Sequence, residues 1–373
     1  YRDSSYLKFI EQYKHRRQVV YVGANDGMLH AFNAGFWDAD HQRFSVDSAV
    51  YPNSPSYSQH ALGAELWAYV PENLLPHLRW LSQKDYQHVY FVDGAPKAFD
   101  VRIFADDEDH PHGWGTILVV GMGFGGGEQT ITLKNERKKT LRSSYLVLDI
   151  TNPEKPPTLL AEINDPKLGF TLSNVDIIKA ARNTEDHNTS QWYLAFTSGP
   201  TGEQAINNNK SSQNAQLFIY DLNSLTNQSI KTRHSAALAV YDTGDQHSYG
   251  GDLLSVDLDH DYIDDALYFG TVQTNHFNHQ LSGKFKRAVM TFNNQKDSHT
   301  SKKIKTVNIN TFLNTDRAIT AAPLHARSHD GADWLLFGTG RSQIVSDNKD
   351  LQPHYFIGIK ELMLIILVLI FIM

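Results

Sequence analysis

Short apolar runs of about five residues, each ending in a glycine turn, recur from one end of this chain to the other. They are "VVYVGANDG" (19–27), "HVYFVDGAP" (88–96), "TILVVGMGFGGG" (116–127), "WYLAFTSGP" (192–200), "ALYFGTV" (266–272) and "WLLFGTG" (334–340). Runs so short, rich in β-branched and aromatic residues and closed by glycine, predict strands. Second strands lie between them, among them "MLHAF" (28–32), "YLVLDI" (145–150) and "QLFIYDL" (216–222). In the first unit Asn25-Asp26-Gly27 separates two such runs, a hairpin signal because these residues readily take the positive φ of tight turns. Most recurrences are spaced by roughly 70 residues, more than one propeller blade of about 40–50, so irregular or inserted blades must fill the gaps. The pattern predicts an all-β chain, a propeller with irregular blades, with a pair of β-sandwiches as the alternative.

Helix is sparse. "YLKFIEQYKHRRQ" (6–18) and "PENLLPHLRWL" (71–81) are the candidates, the second with Pro71 placed for a first helical turn. Polar segments at 36–60, 104–113, 132–144, 182–190, 202–215 and 292–306 carry too little apolar surface to offset ordering entropy, which predicts exposed loops. The final run "LMLIILVLIFIM" (362–373) is apolar throughout but shorter than the roughly 20 residues a spanning helix needs. It begins abruptly after a well-patterned β sequence, so residues 361–373 are set apart as a tail of doubtful origin and 1–360 are taken as the domain.

Composition narrows the chemistry. With 373 residues the chain can bury a large core, and 17 Tyr and 19 Phe suit strands and turns. A net charge of −7 argues against nucleic acid as a partner, for which a basic face is expected. There is no cysteine, hence no disulfide, thiolate metal site or thiol nucleophile. Residue 1 is Tyr and no signal peptide is visible, so the chain is expected to be a fragment.

One stretch concentrates charge. In "SVDLDHDYIDDALYFG" (255–270), Asp257, Asp259 and Asp261 alternate, with Asp264 and Asp265 close behind. Like charges held together destabilise one another, so either water or a hard cation must compensate. Calcium takes six to eight oxygen ligands, and its familiar loop supplies them from positions 1, 3, 5, 7 (a backbone carbonyl) and 9. Counted from Asp257, these are Asp257, Asp259, Asp261, the Ile263 carbonyl and Asp265. Tyr262 holds position 6, where glycine usually makes the sharp turn, and Tyr268 holds position 12 in place of a glutamate. The flanking sequences are β-like, so the loop should join two strands; a solvated acidic turn is the alternative.

Other motifs do not develop. Gly121, Gly123 and Gly126 satisfy a dinucleotide-binding spacing after a strand, but no helical pattern follows. His110 and His112 lie in an acidic loop with no assignable metal partner, and Ser198 lacks the glycine two residues earlier that a nucleophile elbow requires. No nucleophile, base and orienting acid come together, so no enzymatic activity is expected.

In order along the chain, "VVYVGANDGMLHAFNAG" (19–35), "GAELWAYVPENLLPHL" (63–78), "YFVDGAPKAFDV" (90–101), "WGTILVVGMGFGGG" (114–127), "YLVLDITNP" (145–153), "LGFTLSNVDII" (168–178), "VDLDHDYIDDALYFG" (256–270), "AITAAP" (318–323) and "LLFGTGR" (335–341) resemble the C-terminal propeller of the PilC/PilY family of type IV pilus-associated proteins. The resemblance runs from about residue 15 to about residue 360. It implies a modified, irregular seven-bladed β-propeller of the quinoprotein-dehydrogenase-like superfamily. It also implies a Ca2+ loop on Asp257, Asp259, Asp261 and Asp265, the same register as the ligand spacing. The implied role is to promote type IV pilus assembly by opposing retraction, and to contribute to adhesion and twitching motility. The implied partners are major or minor pilins and a host or abiotic surface, at the cell surface, pilus tip or outer membrane. Two departures are Tyr262 in place of glycine and a long, irregular segment after Gly270. The first run also looks like a repeat of quinoprotein alcohol dehydrogenases, which use pyrroloquinoline quinone. That reading lacks the Thr-Gly-Lys turn, the docking tryptophan and the vicinal cysteines. A surface propeller binding glycan or protein without a pilus is the third alternative.

Overall fold

A computed structural model describes residues 3–46, 60–180, 191–205, 210–225, 238–274, 280–292, 303–349, 352–361 and 365–371. The chain forms two compact units, the first built mainly from Tyr1–Asn164 and the second from Asp165–Arg182, Asn188–Leu222 and Ala237–Met373.

The first unit opens with helix α1 (Ser4–Tyr13), whose Asp3 cap accepts the Ser5 N–H at 2.8 Å. That cap starts the helix two residues before the apolar pattern begins. Tyr6, Phe9 and Tyr13 share one helix face, and Phe9 is buried with its ring 6.4 Å from that of Trp114. Strands β1 (Gln18–Gly23), β2 (Leu29–Asp38), β3 (Arg43–Ser45) and β4 (Glu65–Tyr69) make the first sheet, in which β2 pairs with the other three. The predicted hairpin is present between β1 and β2: Gly27 has φ +98°, and Asp26 Oδ1 accepts the Met28 N–H at 3.0 Å.

Strands β5 (Lys97–Arg102), β6 (Trp114–Val120), β7 (Gln129–Thr132), β8 (Lys138–Leu141), β9 (Tyr145–Asp149) and β10 (Thr158–Ile163) complete this unit. The second sheet has the order β10-β9-β6-β5, while β7 and β8 pair as a separate hairpin, β8 lying within the 132–144 segment expected to be loop. Leu29, Leu74, Phe91, Leu118 and Leu146 belong to one buried cluster in this unit.

Two other expectations change. Residues 71–81 are not one helix but two 3-10 segments, Glu72–Leu74 and Leu78–Ser82. Pro76 between them has no N–H and would clash with the Glu72 carbonyl of a continuous α-helix. Residues 88–96 form no strand. Phe91 and Val92 are nevertheless fully buried, and their backbone N–H groups bond to Asn25 Oδ1 at 2.9 Å and Ala24 O at 3.2 Å. Apolar content there marks burial in a loop rather than a ladder.

In the second unit, β11 (Asp176–Lys179), β12 (Trp192–Thr197), β13 (Gln216–Asp221) and β14 (Leu238–Asp242) lie in that order in one sheet. The next is β15 (Ser248–Val256), β16 (Ala266–Thr274), β17 (Leu281–Phe292) and β18 (Ile304–Thr315). The last is β19 (Leu324–Arg327), β20 (Asp333–Gly338), β21 (His354–Lys360) and β22 (Ile365–Phe371). Thus part of the apolar tail pairs as a fourth strand, from Lys360 opposite Ile365 to His354 opposite Phe371. Strand β16 explains its own sequence. Leu267 and Phe269 enter a cluster shared with β11, β12 and β13, while Ala266 and Tyr268 enter another shared with β20 and β21. A strand buried on both faces has no polar side to show, so "ALYF" does not alternate.

The described residues form five four-stranded sheets, and the expected seven are not reached among them. No helix among them is long and apolar enough to cross a membrane.

Candidate metal centre

The acidic loop occupies the turn between β15 and β16, where Val256 pairs with Ala266 at the end of the ladder. It joins two strands, as its flanks predict. Asp257, Asp259 and Asp265 are brought together, with one carboxylate oxygen from each lying within 4.8 Å of the others. Asp261 is not in that group: its Oδ1 accepts the Ile263 N–H at 2.9 Å. Position 12, Tyr268, lies inside β16 with its side chain fully buried, and contributes nothing to the loop.

Backbone N–H groups hold the carboxylates in place. Asp257 accepts from Asp261 at 3.1 Å and from Tyr262 at 2.7 Å, and Asp259 accepts from Asp261 at 3.1 Å. Asp265 Oδ2 accepts from Leu258 at 2.8 Å and from Asp259 at 3.4 Å. Each carboxylate has about four lone-pair sites, so these bonds order the oxygens without exhausting them. An all-oxygen donor set of anionic carboxylates suits a hard divalent cation, and so the residues fit calcium.

The fifth carboxylate has another task. Asp264 Oδ2 accepts the Lys179 N–H at 2.7 Å, while the Asp264 N–H donates to the Lys179 carbonyl at 3.0 Å. This exchange ties the loop to β11. Burial pushes the Asp264 carboxyl up to about 7, with the Asp176 and Asp257 charges adding to the rise. Burial likewise raises Asp265, with Asp259 and Asp257 contributing. Sequence spacing could not separate the anchor from the ligand set, because both are aspartates in one run.

Tyr262 has φ +71° and His260 +60°, conformations that a Cβ makes costly. This is the geometric reason glycine is usual at the sixth position. Replacing Tyr262 with glycine should therefore stabilise the second unit by roughly 0.5–1 kcal/mol after the greater entropy of an unfolded glycine is counted. Thermal melts in calcium-free buffer test this, and an unchanged or lower midpoint would contradict it.

The other sequence motifs are structural here. The glycines at 121–126 lead into β7 with no helix, and a Cβ on Gly125 would fall 1.8 Å from the Phe91 carbonyl oxygen. Ser198 is fully buried and its Oγ accepts the Gln216 N–H at 2.9 Å. Both His110 ring nitrogens meet carboxylates, Asp107 at 2.9 Å and Asp149 at 3.0 Å, and its ring stacks on Phe104. Burial opposes the imidazolium, but the Asp149 and Asp107 carboxylates outweigh it and raise His110 above its ordinary 6.5. Asp149 is burdened by burial yet lowered below 3.8 by His110 and Thr151. The raised histidine stabilises the fold fully below 6.5 and loses that contribution as pH climbs through its folded value. The lowered aspartate contributes above 3.8 and loses it as pH falls. Melting midpoints should fall between about pH 6 and about pH 8 in the wild type and less so in His110→Gln. Parallel curves would remove the pair from the account.

Consecutive four-stranded antiparallel sheets, the kind of unit from which β-propellers are built, place the chain among all-β proteins. Residues 2–360 match the model of the PilY1 beta-propeller domain, and the chain belongs to that family. It is 28% identical over 359 residues to a type IV pilus biogenesis factor PilY1 homolog of Xylella fastidiosa, covering 94% of this chain and 22% of that protein. Type IV pilus biogenesis factor PilY1 of Pseudomonas aeruginosa is 28% identical over 174 residues, 45% of this chain and 11% of that protein. The chain thus spans less than a quarter of these relatives. The crystal structure of the Pseudomonas aeruginosa PilY1 C-terminal domain superposes with a TM-score of 0.57 at 21% identity, over 96% of this chain and 60% of that one.

Proposed function

We propose that this chain is the calcium-binding propeller of a type IV pilus biogenesis factor, acting at the cell surface with pilins to favour assembly over retraction. The observation that carries the reading is the family match over residues 2–360 together with an acidic loop whose Asp257, Asp259 and Asp265 oxygens converge within 4.8 Å. Asp261 and the Ile263 carbonyl complete the proposed ligand set, Asp261 by turning from the Ile263 N–H toward the cluster. Without a cation, the carboxylates repel one another and favour an open loop; neutralised, they favour the ordered one. A contact surface beside the loop would then follow calcium, linking occupancy to assembly, adhesion and twitching motility.

The test is made in the bacterium that carries the full-length protein. Surface pili are sheared and quantified from wild-type cells, from a deletion strain, and from the deletion in a background whose retraction motor is disabled. The reading expects pili to be lost on deletion and restored when retraction is disabled. Unchanged piliation in the deletion strain would overturn it.

A further inference from the structure

The second unit holds a cavity of about 610 Å³ away from the acidic loop, between the end of β16, the start of β17 and the segment that follows β20. Among the described residues its wall carries four cationic side chains, Lys210, Arg317, Arg341 and Lys349, and one acid, Asp347. In a chain of net charge −7 this is a local reversal of sign. Arg341 and Asp347 form a buried ion pair and cancel each other. Arg317 does not lose its charge so simply: it is buried, and it donates to the Pro353 carbonyl at 3.0 Å and to Gln352 Oε1 at 3.2 Å, neutral acceptors that orient the guanidinium. Among the described residues the anion that reaches it is Asp316, mostly exposed, whose Oδ2 lies 3.3 Å from Nη1 and whose carbonyl accepts from the same nitrogen at 2.7 Å.

The rest of the wall is polar. Gln204, Gln280, Gln352, Thr274 and Ser346 supply amides and hydroxyls, Leu281 and Ile344 the apolar surface, and no aromatic ring is among the described lining residues. Among these described residues apolar peptide side chains would find few partners, and the charged and amide groups favour a polar ligand. An anion with many hydroxyls satisfies both the excess charge and the amides. We propose that this cavity binds a short acidic oligosaccharide, its anionic group held by Arg317, Lys210 and Lys349 and its hydroxyls by the surrounding amides. The site is separate from the calcium loop, and its failure would leave the calcium and pilus reading standing.

Calorimetric titration with digalacturonate, on the wild-type chain, tests the proposal. Binding should be saturable, should weaken with added salt, and should fall about 3-fold in Lys349→Gln and further in the Lys210→Gln/Lys349→Gln double variant. These lysines are at least partly exposed, so the variants should fold, and an unchanged melt verifies it. A sulfated disaccharide that binds instead of digalacturonate keeps the acidic-sugar assignment and moves it to the sulfate group. Absence of binding by both sugars, equal binding of the neutral digalactose, equal binding by the double variant, or stronger binding of a tetraglutamate peptide would each overturn it. So would full competition by inorganic phosphate at equal concentration, which would show a plain anion hole.

Discussion

Calcium titrated into the chain should produce saturable heat with a stoichiometry of about one, and both the heat and the accompanying rise in melting temperature should vanish in Asp265→Asn. The expected stabilisation of the wild type is about 2.7 kcal/mol when calcium stands at 100 times its dissociation constant. Asp265 is the telling position because it serves the loop twice. Its carboxylate belongs to the converging group, and its Oδ2 accepts the Leu258 N–H that sets the start of the turn. Asparagine keeps an acceptor for that bond while removing the charge, so lost binding would not be a folding defect. Asp261→Asn should weaken binding without abolishing it: Asp261 joins the proposed ligand set only by turning from the Ile263 N–H, and asparagine keeps an oxygen for either partner. If the wild type gives no heat and no melting shift at about 1 mM calcium, the loop is a solvated acidic turn.

How much of this could be seen beforehand differs from residue to residue. The strand-turn units of β1 and β2, β6, β12, β16 and β20 were legible because a buried strand needs apolar residues and its turn needs glycine. "HVYFVDG" carries the same composition, yet Phe91 and Val92 are buried by a loop whose N–H groups find Asn25 and Ala24. Composition reports burial; the hydrogen-bond partner that makes a strand comes from elsewhere in the chain. Likewise the acidic run marked the candidate site, but which aspartate serves as anchor depends on Lys179, 85 positions upstream of Asp264. The hairpin of β7 and β8 was hidden for a different reason. β7 alternates between half-buried and exposed, and β8 is Lys-rich with Leu141 alone buried, so local pairing shapes a segment whose composition resembles a loop.

Arg17 shows the same limit on a larger energetic scale, and replacing it with methionine should cost roughly 3–5 kcal/mol. Its side chain is 0% exposed, and its guanidinium makes paired bonds to Glu154, Nε to Oε1 at 2.7 Å and Nη2 to Oε2 at 3.0 Å. A third bond, Nη1 to Asn33 Oδ1 at 2.8 Å, reaches β2, and the Phe36 ring lies 4.9 Å beneath the cation. Asn33 in turn donates to the His60 and Ala61 carbonyls at 2.9 and 3.1 Å, so one cation fastens the beginning of β1, the middle of β2 and the turn after β9. In sequence it is the last of two adjacent arginines beside an exposed helix, indistinguishable from solvated charge. The large expected cost comes from the partner left behind: Glu154 is almost fully buried and would have to stay charged without its counter-ion or take up a proton. The Arg17→Met/Glu154→Leu double variant, which removes both charges, should therefore recover much of the loss, giving a coupling of at least about 1 kcal/mol in the double-mutant cycle. Urea unfolding in calcium-free buffer measures all four proteins. A loss below about 1 kcal/mol in Arg17→Met would mean that water reaches Glu154 and that the clamp is not what joins these three segments.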